Sequence, residues 1–290
     1  MINNKRIKYV GSFILTAACL FVMGCQPGQK RPVREMICPG KTSIDQAVRV
    51  LAMQRQNLLP FQANADCVIT YQDADGRQRR EPIRGSRMAF VPNENVYFKG
   101  ELVFKELRFG TNQTEFWLRI KADLQDFGDS YWWGARSVVK QCPETLPVNP
   151  DNIAEAMGVI EVTPDWELSN RDGYDLLTLV QDGRIRKRVS VNACDYRIDQ
   201  IDYFDTEGLR RVSVELKEYS AQENGIRVPT RIEVVSYDRM GMSDLKVLFE
   251  LKNIRYLPPE KITPKLFARP GRDGFGRLYR LDENCEFVEE

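Results

Sequence analysis

The sequence predicts an α+β protein organised on one antiparallel sheet. Three observations carry this. Residues 193–257 hold four consecutive segments with period-two alternation, turn signals join each segment to the next, and one strongly periodic helix precedes the first strands. Val212, Val214 and Leu216 alternate with Arg211, Ser213, Glu215 and Lys217, and Leu245, Val247, Phe249 and Leu251 alternate with Lys246, Glu250 and Lys252. Side chains of a strand alternate between faces, so the pattern describes a sheet with one wet face and one covered face. Gly208, Asn224-Gly225 and Gly241 mark hairpin turns, which makes the segments a meander.

In chain order, residues 1–24 read as an export signal. Lys5, Arg6 and Lys8 precede an apolar stretch at 9–23, and Val22-Met23-Gly24-Cys25 has the form of a bacterial lipobox. Cys25 is then the acylated first residue of the mature chain, held on a membrane by palmitate-type chains that each bury CH2 groups. Residues 25–40 are rich in Pro, Gly and basic side chains and have no apolar period. They read as a flexible tether reaching at most about 50 Å.

Residues 41–269 read as one domain. The spacing of Ile44, Ala47, Val48, Leu51 and Leu58 predicts a helix over 42–59, with Ser43 and Gln46 as a capping box and Pro60 as its stop. Ala65, Cys67, Ile69 and Tyr71 then alternate as a strand, and Asp73-Ala74-Asp75-Gly76 turns it. The Asp-x-Asp-Gly run lacks the later ligands of a calcium loop, because Arg77, Arg79 and Arg80 occupy that stretch. Further strands are predicted at 84–91, 95–101, 102–109, 114–121 and 129–136. In the penultimate one Phe116, Leu118 and Ile120 share a face. Tyr131-Trp132-Trp133 must place adjacent tryptophans on opposite faces, one inside and the other at a contact surface or cavity mouth. A short helix is predicted at 150–157, with Ile153, Ala156 and Met157 as its apolar side. Strands at 174–181 and 184–192 flank Asp182-Gly183. Residues 270–290, with Arg272, Arg277 and Arg280 among glycines, read as a solvated tail pinned by Cys285.

In residues 193–267 the pattern resembles a known family. It runs Tyr196-Arg197-Ile198-Asp199, Phe204-Asp205-Thr206-Glu207-Gly208, Gly225-Ile226-Arg227-Val228-Pro229-Thr230-Arg231-Ile232 and Phe249-Glu250-Leu251-Lys252-Asn253-Ile254, and it closes at Leu266-Phe267. This is similar to the C-terminal half of the LolA/LolB-like superfamily of outer-membrane lipoprotein-sorting proteins. The resemblance implies a strongly bent half-barrel sheet whose apolar concave face is capped by a few helices. It also implies a lid helix near 150–157, and acyl chains carried against the concave face.

The same resemblance implies a membrane-anchored periplasmic lipoprotein. Gln26, not Asp, follows Cys25, which under the sorting rules of enteric bacteria favours the outer membrane. The expected ligand-groove residues are Phe116, Leu118, Ile120, Val212, Val214, Leu216, Ile232, Val234, Leu245, Val247, Phe249 and Leu251. The expected partners are lipids or lipoprotein acyl chains. The alternative is an envelope sensor or assembly module of the same fold, acting through a protein partner.

Other classes are disfavoured. The chain has no histidine, which removes His-based triads and His metal sites, and its net charge of +1 gives no electrostatic case for nucleic acid. Carboxylate pairs such as Asp199 with Asp202, or Asp123 with Asp126, are what 41 acidic residues leave on solvated faces, so no enzyme activity, cofactor or metal is expected. Export places Cys38, Cys67, Cys142, Cys194 and Cys285 in an oxidising compartment, where one or two structural disulfides are expected and the pairing stays open.

The lipobox generates the first prediction. Cys25→Ser moves the protein from the membrane to the soluble fraction on cell fractionation, whereas unchanged membrane association would contradict the anchor.

Overall fold

The computed structural model describes residues 37–73, 75–92, 95–102, 105–121, 128–141 and 150–290. The export signal, Cys25, most of the tether, Asp123, Asp126 and Cys142 lie outside the described residues. Residues Ile37–Glu290 form one compact unit.

Helix α1 (Ile44–Asn57) opens it. Ser43 caps the helix by accepting from the Gln46 amide, but the Gln46 side chain turns back to Thr42, one residue before the expected capping-box partner. Six strands follow: β1 (Phe61–Gln72), β2 (Gln78–Val91), β3 (Asn95–Leu102), β4 (Lys105–Thr111), β5 (Glu115–Lys121) and β6 (Ser130–Ala135). Two short helices, α2 (Arg136–Gln141) and α3 (Pro150–Ala156), lead to β7 (Glu167–Arg171), β8 (Tyr174–Gln181) and β9 (Arg184–Asn192). The meander then runs through β10 (Ile198–Phe204), β11 (Arg210–Ala221), β12 (Arg227–Tyr237) and β13 (Ser243–Tyr256). Two 3-10 turns and a hairpin, β14 (Arg277–Leu281) and β15 (Phe287–Glu289), end the chain. Strand β2 starts six residues before the expected segment. Gln78–Arg80 extend the hairpin beyond the core, are exposed, and therefore carry no alternation.

All the described strands belong to one sheet, in the order β15-β14-β6-β5-β4-β3-β2-β1-β13-β12-β11-β10-β9-β8-β7. The two meanders meet where β1 pairs antiparallel with β13. Strong curvature follows from distances. Strands lie about 4.8 Å apart, so β4 and β13, four steps apart, would sit roughly 19 Å from one another in a flat sheet. Yet the rings of Phe109 and Phe249 are 5.9 Å apart, and those of Phe98 and Phe249 5.3 Å. Helix α3 likewise packs on β3, β4 and β11 at once. The sheet is therefore curled around its apolar face, as an α+β half-barrel with few helices.

The two faces are filled differently. On the outer side of β11–β13, cross-strand ion pairs such as Arg231–Glu250 (2.7 Å) and Lys246–Glu233 (2.6 Å) stand in solvent, as alternation predicts. The outer side of β2–β6 is covered by the chain after β13. Phe267, of the Leu266-Phe267 pair, buries against Ala89 and Leu257.

The C-terminal tail is not the solvated extension that its composition suggests. β14 runs parallel to β6, pairing Arg277–Arg280 with Ser130–Trp133. Aromatic contacts explain the docking. Trp132 stacks on Tyr279 at 4.2 Å and meets Phe287 at 4.6 Å, Tyr131 meets Phe275 at 5.6 Å, and Arg269 lies 4.1 Å over Trp133. Both tryptophans are thus packed against the tail, on opposite faces.

One disulfide joins Cys38 to Cys194, 156 positions apart. Cross-links over long loops typically contribute about 2–4 kcal/mol by restricting the unfolded chain. This one fastens residues 37–40, which the composition assigns to the tether, onto the turn between β9 and β10. The Lys41 amide adds bonds to both oxygens of the buried Asp175 carboxylate at 3.2 and 3.0 Å. Cys285 is also disulfide-bonded, and Cys67 is a free thiol buried in the core, its pKa raised by that burial.

Candidate functional site

The expected groove residues all lie on the concave side. Phe116, Leu118, Ile120, Val212, Val214, Leu216, Ile232, Val234, Val247, Phe249 and Leu251 are buried, and Leu245 is half-buried at the rim. Alternation placed their direction correctly. The space in front of them is occupied in this structure. Ala47 and Leu51 of α1, Val139 of α2, and Ile153, Ala154 and Ala156 of α3 join them in one continuous apolar cluster. The expected open groove is closed, because the curl brings opposite walls into contact and α3 fills what remains.

Helix α3 is the unusual part of this cluster. Every side chain from Asp151 to Met157 is buried or half-buried, yet two are acids, at positions i and i+4 on one side of the helix. Each has a cation waiting for it. Arg136 at the start of α2 points Nε (3.0 Å) and Nη2 (2.8 Å) at Asp151 Oδ1, and its Nη1 donates to the Asn112 carbonyl at 3.1 Å. Lys187 of β9 reaches both oxygens of Glu155 at 2.6 Å, and the Tyr203 hydroxyl donates to Glu155 Oε2 at 2.5 Å. Burial, and next the Glu155 carboxylate, raise the Tyr203 phenol far above its ordinary pKa, so it stays a donor. The plug is therefore held at both ends by charge-assisted hydrogen bonds, and between them by small and medium apolar side chains.

Beside the C-terminal end of α3 a cavity of about 180 Å³ remains, between α1, α3 and the strands β10–β12. Leu58, Met157, Ile198 and Pro229 form its buried floor, with Tyr219 and Ile226 half-buried at its side. The Tyr219 hydroxyl donates to the Ile198 carbonyl, which closes the floor without an exposed polar group. Asp195, Arg197 and Arg227 stand at its rim. Ligand sites for small molecules usually measure about 300–1,000 Å³, so this is a mouth and not a full binding chamber. Its floor residues Leu58, Met157 and Ile198 belong to the same apolar cluster as the groove residues.

A larger, open cleft of about 760 Å³ lies on the outer face of β8–β11, around Leu176, Ser190, Gln200 and Glu215. Its charges are largely paired among themselves. Asp199 is held by Arg197 at 3.1 Å and Lys217 by Glu215 at 2.6 Å, while Asp202 accepts from Gln200 with both oxygens. Asp199 and Asp202 are thus engaged separately and not arranged as an acid and base pair. Among the described residues no group of three His, Cys, Asp or Glu side chains could hold a metal ion, and no helix is long and apolar enough to cross a membrane.

The bent sheet with helices seated in its concavity is the layout that the sequence resemblance implies. The chain matches no protein-family model and no curated protein. Among solved structures it is similar to a LolA superfamily protein from Nitrosomonas europaea, at 13% identity and a TM-score of 0.47, covering 79% of this chain and 99% of that one. It is also similar to a putative outer membrane lipoprotein-sorting protein domain from Vibrio parahaemolyticus, at 9% identity and a TM-score of 0.45, covering 77% and 97%.

Arg136, Glu155, Lys187 and Tyr203 were not marked by sequence reasoning. The available signal was Asp151 and Glu155 on a short helix that also carries the apolar Ile153, Ala154 and Ala156, since two acids at helical spacing do not enter a core without cations. The anchors generate a prediction. Arg136→Ala leaves Asp151 buried without its partner and costs about 3–5 kcal/mol in urea unfolding. Arg231→Ala, from an exposed pair, costs less than about 1 kcal/mol. Equal costs for the two would contradict the assignment of Arg136 as a buried anchor.

Proposed function

We propose that this chain is a lipid-anchored envelope protein that binds the acyl chain of a lipid or lipoprotein against its concave apolar face, with α3 as a displaceable plug. The observation that carries this reading is the mouth: a cavity placed where α1 and α3 end, whose floor residues Leu58, Met157 and Ile198 belong to the concave apolar cluster. A chain entering there passes Asp195, Arg197 and Arg227 at the rim and then meets apolar side chains of the floor, and displacing α3 exposes more of the apolar cluster. Burying a palmitate-length chain contributes on the order of 10 kcal/mol, at roughly 0.8 kcal/mol per CH2, before binding costs. That gain is what would offset the loss of α3 packing. No catalytic group is required. Acylation of Cys25 and a position on the outer membrane facing the periplasm belong to the same proposal, as does transfer of lipoproteins between membranes.

A second reading, a sensor or assembly module acting through an envelope protein partner, is favoured by one observation. The concave face is already filled by the chain's own helices, so a partner could read the outside of a closed domain without any ligand inside.

The test is binding of dansylaminoundecanoic acid to the full chain made soluble by Cys25→Ser. Ile226→Glu puts a carboxylate at the side of the mouth, where it faces the incoming chain at a cost of several kcal/mol. Ile226 is only half-buried, so the thermal melt changes little. The expected result is saturable binding by the parent and at least about tenfold weaker binding by Ile226→Glu. Met240→Glu, at an exposed turn far along the meander, leaves binding unchanged. Absence of saturable binding by the parent would overturn the proposal and leave the partner reading in front.

A further inference from the structure

The mouth combines two chemistries. Behind its apolar floor lies the concave cluster, and in front of it stand two guanidinium groups that share one carboxylate oxygen. Arg197 Nη1 is 3.3 Å from Asp195 Oδ2, and Arg227 Nη1 is 3.6 Å from the same atom. Charge-assisted N–H···O bonds are normally about 2.7–2.9 Å, so neither contact is optimal. Arg197 has a better partner in Asp199, at 3.1 Å from its Nε, and lies 5.5 Å over the Tyr219 ring. Among the described residues Arg227 has Asp195 alone as an ion-pair partner, and its side chain is 57% exposed. It is held over the mouth with its hydrogen-bonding capacity largely unspent.

From this we infer that the mouth selects an amphiphile with an anionic head, a carboxylate or a phosphate. The head sits on Arg227 and Arg197, and the chain runs over Ile226 and Ile198 towards α3. This rests on the acyl-binding reading above and names the class of ligand for it. The charge arrangement supplies the reason. Without a ligand, Asp195 is the one anion among the described residues that pairs with both arginines, at 3.3 and 3.6 Å. An incoming head oxygen gives Arg227 the short bond that Asp195 does not. A neutral head, such as an ester or a diacylglycerol, gains nothing there and must leave the guanidinium partly desolvated. The rim thus sorts ligands by head, while the floor sorts them by chain.

The experiment compares dansylaminoundecanoic acid with its methyl ester, using the full-length Cys25→Ser protein. The acid binds at least about fivefold more tightly than the ester, the scale of one partly exposed ion pair. Arg227→Gln abolishes the preference and leaves ester affinity as it was. Asp195→Asn, which removes the competing carboxylate, enlarges the preference. Thermal melts within a few degrees of the parent show that the variants are folded, as expected for side chains at an exposed rim. Displacement of the probe by dodecyl phosphate but not by dodecanol indicates that a phosphate head is accepted, and displacement by dodecanoate alone restricts the site to carboxylates. Equal affinity for acid and ester, or equal loss of both in Arg227→Gln, overturns the head assignment while leaving acyl binding intact. Failure of both probes to bind the parent removes the acyl-binding reading, and this inference with it.

Discussion

The curl of the sheet is the constraint on which the other features depend. A flat sheet of this width would leave its apolar face far too broad for one 14-residue helix and two short ones to cover. Curling brings β4 onto β13, so that Phe98, Phe109 and Phe249 meet across the concavity and the face covers much of itself. The helices then need only fill the remaining slot. Because interiors pack densely, a slot with rigid walls accepts either its own helix or something of similar shape and polarity. That is the physical basis for treating α3 as a plug. Its apolar side chains suit the slot, and its two acids hold it there through contacts that are specific but few.

The sheet supports this from outside. The segment after β13 covers the outer side of β2–β6, and the β14–β15 hairpin extends the sheet beyond β6. One disulfide holds the chain ahead of α1 to the turn after β9, which fixes the start of the helix against the second half of the sheet. Among the contacts that join the two halves are the β1–β13 ladder, the Cys38–Cys194 bridge and α3. The first two are permanent under oxidising conditions. Among the described residues α3 is held to the sheet by side-chain packing and by the Arg136, Lys187 and Tyr203 contacts, so that its release breaks no covalent bond.

Much of this was legible in the sequence, for identifiable reasons. The meander from β10 to β13 could be read because one face is wet and the other packed, which gives clean alternation at Val212, Val214 and Leu216 and at Val247, Phe249 and Leu251. Helix α1 was legible from its stripe and from Ser43. The C-terminal hairpin was not, because Arg272, Arg277 and Arg280 look solvent-bound when their partners, Glu290 among them, are distant or local only in three dimensions. Closure of the concave face was not legible either. Alternation reports which way Phe249 points, and it carries no information on how far the sheet curls or what stands opposite. The mouth combines Leu58, Met157, Tyr219 and Arg227 from four elements, so no local pattern could assemble it.

Native-state hydrogen exchange tests the central claim, that α3 is a separable plug on a more stable sheet, most directly. Elements held by few contacts open with free energies below that of global unfolding. If α3 is such an element, the amides of residues 151–157 exchange through an opening several kcal/mol cheaper than global unfolding, with little dependence on denaturant, while the buried amides of β11–β13 exchange only by unfolding of the whole domain. If residues 151–157 share the opening free energy and denaturant dependence of β11–β13, then α3 is an integral part of a closed core and the plug account is wrong.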